Sequence, residues 1–186
     1  MDRQSAKNKK RSNILGAAAQ IFSKKGYYEA KVEDIAQAAG VGKGTIYLYF
    51  NSKRDLFYCM IKEGTDLFLS DLAEKIEGEQ DYEKILKTLI EFTFGFMEKR
   101  EEITTLIISN PGMVDEDMQL WLSDQKNKII QYISSLVAEY ARINGLANVN
   151  PIIAAHALYG ITISVLGDRL FQRKDFDFNM KRVLEF

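Results

Sequence analysis

The sequence predicts an all-α protein of about nine helices. Only two prolines interrupt 186 residues, apolar residues recur at three- and four-residue spacing along most of the chain, and no stretch of useful length alternates apolar with polar residues. Hydrophobic content of 46% and charged content of 27% are those of an ordinary globular chain, long enough for a small domain fused to a larger body.

The first helix is expected over residues 5–25, with Ser5 as its cap and Ile14, Ala17, Ala18, Ile21 and Phe22 as its apolar stripe. Gly26 supplies the stop. Residues 32–40 form a short second helix with Val32, Ile35, Ala36 and Ala39 inward and Glu33 and Asp34 in the first turn, where the helix dipole favours acids. Gly40 ends it, and only Val41 and Gly42 precede a third short helix at 43–50. Ser52 and Asp55 have the spacing of a capping box for a longer helix that runs to about Glu77, before Gly78.

Residues 81–99 place Ile85, Leu86, Leu89, Ile90, Phe92, Thr93, Phe96 and Met97 on one broad face. A short apolar helix follows at 102–109, stopped by Asn110-Pro111-Gly112. A long helix is expected over 115–143 with Leu122, Ile129, Ile133, Leu136 and Tyr140 inward, ended by Gly145. Asn150-Pro151 is a cap followed by a first-turn proline, starting a helix to about Arg173. A ninth helix begins near Asp175. With no run of 18 apolar residues, no membrane span is expected, and no secretory signal pattern is visible. The single cysteine, Cys59, has no internal partner, which fits a reducing cytoplasm.

The formal net charge of −1 conceals an asymmetry. Residues 1–62 hold 12 Lys+Arg against 5 Asp+Glu, and the remainder holds 13 against 21. A basic head on an acidic body suits a protein whose head alone meets a polyanion.

The head contains a specific motif. A short helix, a tight glycine turn and a second short helix form a helix-turn-helix, whose second helix lies in the DNA major groove while the first braces on the backbone. In KGTIYLYF, Ile46 and Phe50 are spaced to face inward. Lys43, Gly44, Thr45, Tyr47 and Tyr49 remain for phosphates and base edges. Lys53 adds a further phosphate ligand, and Lys7, Lys9, Lys10 and Arg11 form a loose basic arm. The GVGKGT stretch at 40–45 is not a nucleotide loop: Lys43 is followed by Gly44 rather than Ser or Thr, position 37 is Gln37, and a helix rather than a strand precedes it.

Residues 12–57, with A-G-V-x-K-G-T-I-Y-x-Y-F-x-S-K-x-x-L at 39–56, resemble the DNA-binding head of the TetR family of repressors. The resemblance covers about a quarter of the chain. It implies a helix-turn-helix domain over 1–52 and an effector-binding and dimerisation domain over 53–186, linked by the helix at 53–77. It further implies a homodimer formed through the last two helices, a double-stranded, pseudo-palindromic DNA operator, and release by a small molecule bound in the body. By position, the family's DNA contacts fall on Lys43, Gly44, Thr45, Tyr47, Tyr49 and Lys53. Lys31 stands where the family has a capping Thr or Ser; it reaches a phosphate but cannot cap.

In the body, Phe92, Phe96, Met97, Met113, Met118, Trp121 and Tyr132 are large side chains suited to line a mostly apolar pocket, or to form ordinary core. His156, Tyr159 and Thr162 are polar groups on a largely apolar helix, able to orient a ligand or to lie at a subunit interface. An effector held there is expected to be mostly hydrophobic. Ala154, Ala155, Ala157, Gly160 and Gly167 permit close approach of a second helix. The lone His156 has no carboxylate three residues before it, and no nucleophile elbow or zinc-ligand spacing occurs, so neither an enzyme nor a cofactor is expected. The alternatives are a constitutive DNA-binding protein without an effector and a helical enzyme with a basic head.

Overall fold

A computed structural model of the chain describes residues 3–100, Glu102 and 115–171. These residues form seven α-helices: α1 Arg3–Glu29, α2 Val32–Ala38, α3 Lys43–Tyr47, α4 Lys53–Ile76, α5 Tyr82–Glu98, α6 Glu116–Ile143 and α7 Pro151–Phe171. The expected class is observed, with no strand among the described residues. Of the helix expected at 102–109 all but Glu102 lies outside the described residues, as do the helix expected from 175 and Met113.

Local chemistry accounts for the helix ends. Gly26 breaks α1 at φ 72, ψ 170, a backbone region that only glycine enters at little cost. Gly40, at φ 65, closes α2 in a Schellman motif: the Val41 N–H donates to the Ala36 carbonyl at 2.9 Å and the Gly40 N–H to the Gln37 carbonyl at 3.1 Å. Lys31 occupies the N-cap of α2 with no side-chain cap hydrogen bond, as expected for a residue without an acceptor. Ser52 Oγ accepts from the Asp55 N–H at 3.0 Å, while the Asp55 carboxylate accepts from the Asn51 N–H at 2.7 Å. The return bond of the box thus lands one residue earlier than in the standard form. Asp81 caps α5 by accepting from the Glu83 and Lys84 amides. Asn150 Oδ1 accepts from the Ile153 amide ahead of α7.

Three expectations need correction. Ser5 does not cap α1, because the helix already runs at Arg3. Residues 7–11 are therefore early turns of α1 rather than a loose arm, and Arg11 lies over the Phe50 ring and pairs with Glu63. The third helix is shorter than 43–50: α3 ends at Tyr47, although the Phe50 N–H still donates to the Ile46 carbonyl at 2.9 Å.

The chain divides into two compact units, Met1–Gly64 with Glu101–Gln119, and Thr65–Arg100 with Leu120–Phe186. The first has α1 packed on α2 and α2 on α3 around Ile14, Ala18, Phe22, Ile35, Ile46, Phe50, Leu56 and Phe57. Phe22, Tyr27 and Phe57 form an aromatic cluster with centroids 5.2–5.9 Å apart. Phe22 and Phe57 are buried and Tyr27 half-buried, and each fully buried side chain of this core contributes about 1.5–3 kcal/mol of transfer free energy.

In the second unit α5 packs on α7, and Phe68, Leu72, Leu89, Ile130, Ile133, Val137 and Ala155 form the core. The buried stripe of α6 is Ile130, Ile133, Val137 and Ala141; Ile129, Leu136 and Tyr140 are only half-buried, a rotation of the face the spacing predicts. α7 is the most apolar of the described helices by composition. Its Pro151–Asp168 segment has a mean hydropathy of 1.3 over 18 residues, long and apolar enough to cross a membrane by length and composition. Ala155, Thr162 and Leu166 of that segment are nevertheless buried within the unit, while Ile153 and Ile161 are exposed.

Candidate functional site

The two short helices of the head, α2 and α3, create one surface. Ile46 and Phe50, each 1% exposed, anchor α3 and the following turn to the core, as their four-residue spacing predicts. Their burial turns the rest of the segment outward: Lys43, Gly44, Tyr47 and Leu48 are exposed, and Thr45 and Tyr49 are half-buried. Gly44 faces open space, since a Cβ placed there meets no protein atom within 4 Å and its φ is not positive. Packing and backbone conformation therefore do not require glycine at this position.

Leu48 was not among the residues singled out in the sequence, yet it is 81% exposed between two tyrosines. The signal was available: in a segment pinned by positions 46 and 50, position 48 points away from both. Leu48 directly follows the last residue of α3 and presents an exposed aliphatic side chain there.

Charge pairs pattern this surface. Lys43 Nζ donates to Glu33 Oε1 at 2.6 Å, and Lys25 Nζ to Asp34 Oδ2 at 2.7 Å. The hydrogen bond from Lys43 holds the Glu33 carboxyl below its ordinary range and, reciprocally, raises the Lys43 ammonium. The bond from Lys25 acts likewise on Asp34. Lys31 is exposed at the start of α2, close enough to lower both carboxyls further.

Lys53 occupies a different setting. Its Nζ donates to the Tyr28 carbonyl at 3.1 Å and the Ala30 carbonyl at 3.0 Å, and lies 4.7 Å from the Tyr27 ring centre. An ammonium has three N–H donors, and these two bonds use two of them. The neighbouring Arg54 donates from Nε to Tyr58 Oη and from Nη2 to Asp115 Oδ1, each at 2.9 Å.

The residues proposed for a ligand pocket do not gather at one place. Phe92 and Phe96 pack tilted and edge-on against Phe68, at ring-centroid distances of 5.2–5.5 Å, beside an open groove of about 1000 Å³ that also carries Asp71, Glu74, Lys75, Glu91, Lys99 and Arg100. Met97 and Tyr159 instead line a small interior cavity of about 20 Å³ with Phe68, Leu89, Ile133 and Leu158. That is roughly the space of one water molecule. Tyr132 packs against the same core, and burial raises its phenol and that of Tyr159. Met118 is fully buried, but within the first unit. His156 is exposed and Trp121 half-buried. Among the described residues no group of histidine, cysteine or carboxylate side chains could hold a metal ion.

A tri-helical head with a buried anchor on its last short helix, and polar and aromatic groups turned outward, defines a helix-turn-helix protein. Residues 14–58 match the family described as bacterial regulatory proteins, tetR family. The chain is 33% identical over 112 residues to the HTH-type transcriptional regulator YvdT of Bacillus subtilis, covering 60% of this chain and 57% of the relative. It is 33% identical over 91 residues to the fatty acid metabolism regulator protein of Bacillus subtilis, covering 49% and 47%. These matches span about half the length of the curated relatives. Among solved structures, FadR from Bacillus subtilis in complex with stearoyl-CoA superposes with a TM-score of 0.82 over 94% of this chain and 95% of that one. At 20% identity this establishes a shared fold.

Proposed function

We propose that this chain is a sequence-specific DNA-binding transcriptional regulator, a repressor released from a pseudo-palindromic operator by a small, mostly hydrophobic effector, acting in the cytoplasm and without catalysis. The carrying observation is the burial of Ile46 and Phe50, which leaves Lys43, Gly44, Thr45, Tyr47 and Leu48 presented together. Tyr47 and Leu48 supply base-edge contacts, Lys43 supplies base or phosphate contacts, and Lys31, Tyr49 and Lys53 supply phosphate contacts. Gly44, with open space before it, lets the DNA backbone approach closely.

The exposed side of α7, with Ile153, Ala157, Gly160 and Ile161, combines small and aliphatic residues and suits a second copy of the same helix. A homodimer through this helix sets two heads about 34–36 Å apart, one turn of DNA. The effector occupies the interior lined by Phe68, Leu89, Met97, Ile133 and Tyr159 after the lining parts, because a cavity of about 20 Å³ is too small for it as it stands. The acyl chain of a fatty acyl-CoA is the first candidate for that interior, with the polyanionic coenzyme A group left outside it, given the name of the 33%-identical Bacillus subtilis relative and the stearoyl-CoA complex of the solved one. α4, continuous over Lys53–Ile76, carries the change from body to head.

The test is a titration of bound operator with acyl-CoA thioesters of increasing chain length, read by fluorescence anisotropy. Release that strengthens with chain length supports the reading. Unchanged operator affinity in the presence of an effector shown to bind would refute the switch.

A further inference from the structure

The DNA-facing surface carries an acid where a polyanion binder gains from cations alone. Glu33 sits in the first turn of α2, its side chain more than half exposed, with Oε1 2.6 Å from the Lys43 ammonium. The α2 N-terminus favours an acid there, but Asp34 already occupies the same turn, and it pairs with Lys25 instead. Of the two acids, only Glu33 reaches the helix that presents Tyr47 and Leu48.

We propose that Glu33 is a specificity-determining residue: its carboxylate holds the Lys43 ammonium against capture by arbitrary phosphates, yet leaves two N–H donors for an operator base. This rests on the reading of the head as a DNA-binding domain. The pair has no net charge, so Lys43 releases few counterions when the protein lies on unrelated DNA. At a matching site the ammonium still has donors for guanine O6 and N7, and the exposed, solvent-screened bond to Glu33 narrows the rotamers of a long side chain without fixing them. Glu33 thus weakens the wrong complexes more than the right one, which is how discrimination is gained without a new attractive contact.

The experiment compares the full chain with Glu33→Gln, Lys43→Gln and the double variant. Each is titrated with operator selected from a random pool and with scrambled DNA of equal length, over about 50–200 mM salt. Glu33→Gln should tighten scrambled DNA about tenfold and steepen its log–log salt slope by roughly one, with a smaller gain on the operator. In the Lys43→Gln background the slope change should vanish.

An unchanged slope on scrambled DNA would overturn the proposal. So would equal loosening on both DNAs, the mark of a residue that only supports the fold. An effect of Glu33→Gln that persists undiminished without Lys43 would also overturn it, since the acid would then act as a general charge. If the unaltered chain shows no preference for any DNA, the DNA-binding reading fails first, and that outcome is visible before any variant is compared.

Discussion

The Arg54 guanidinium lies 2.9 Å from Asp115 Oδ1, joining the first turn of α4 to the residue before α6 across 61 positions of sequence. Asp115 Oδ1 also accepts from the Met118 N–H at 3.0 Å, so one carboxylate caps α6 and receives the cation. Both side chains are more than a third exposed, and solvent screening keeps the ion pair itself small. Asp115→Ala is expected to cost about 1 kcal/mol, mostly from the lost cap. Arg54→Ala should cost less, apart from its packing on Tyr58. Denaturant unfolding of the two single variants and the double variant measures both, with a coupling below about 1 kcal/mol expected between them.

Gly44→Ala should separate stability from function. The site is open and its backbone lies outside the left-handed region, so alanine lowers the entropy of the unfolded chain and raises stability by about 0.4–1 kcal/mol. The same methyl group occupies the space assigned to the DNA backbone, and operator affinity should fall. A thermal melt and an operator titration on one preparation check the opposed signs.

Tyr47→Ala should cost about 1–3 kcal/mol of operator binding and relax sequence preference, with the melting temperature nearly unchanged because the ring is 46% exposed. Specific binding that survives intact would remove α3 from its assigned role.

Lys53→Ala should weaken all DNA alike and lower the salt slope by about one, as expected for a phosphate contact. It should also lower the melting temperature, because the Tyr28 and Ala30 carbonyls lose their shared donor. A fall in stability without a change in slope would make Lys53 a clamp between α4 and the α1–α2 junction and nothing more.

Ile133→Ala, at the centre of the second unit, should destabilise the chain by about 2–5 kcal/mol through lost burial and the cavity left behind. It also enlarges the interior beside Tyr159, so the stabilisation conferred by a bound acyl chain should increase relative to the unaltered protein. Calorimetric melts with and without the ligand measure both quantities.

The head was legible in the sequence because its determinants are local. Glycines mark the turns, and the four-residue step from Ile46 to Phe50 fixes which side of α3 faces in. What lay beyond reach depends on contacts distant in sequence. The carbonyl partners of Lys53 lie 23 and 25 positions away, and Arg11 could be placed on Phe50 only once α1 was seen to start before it. In α6, Ile129-Ile130 and Leu136-Val137 are adjacent apolar pairs, so either member could face inward on spacing alone. Packing against Phe68, Leu72 and Leu89 selected Ile130 and Val137. Likewise Met97 and Met118 look equivalent as pocket residues, and tertiary structure assigns them to different units.

The most direct test of the central claim is selection of DNA from a random pool by the full chain, followed by sizing of the selected complex and titration across salt. The account predicts an enriched palindromic sequence with half-sites about one helical turn apart, bound by two copies of the chain with a steep salt slope. A pool that shows no enrichment, or a complex indifferent to sequence, would contradict it.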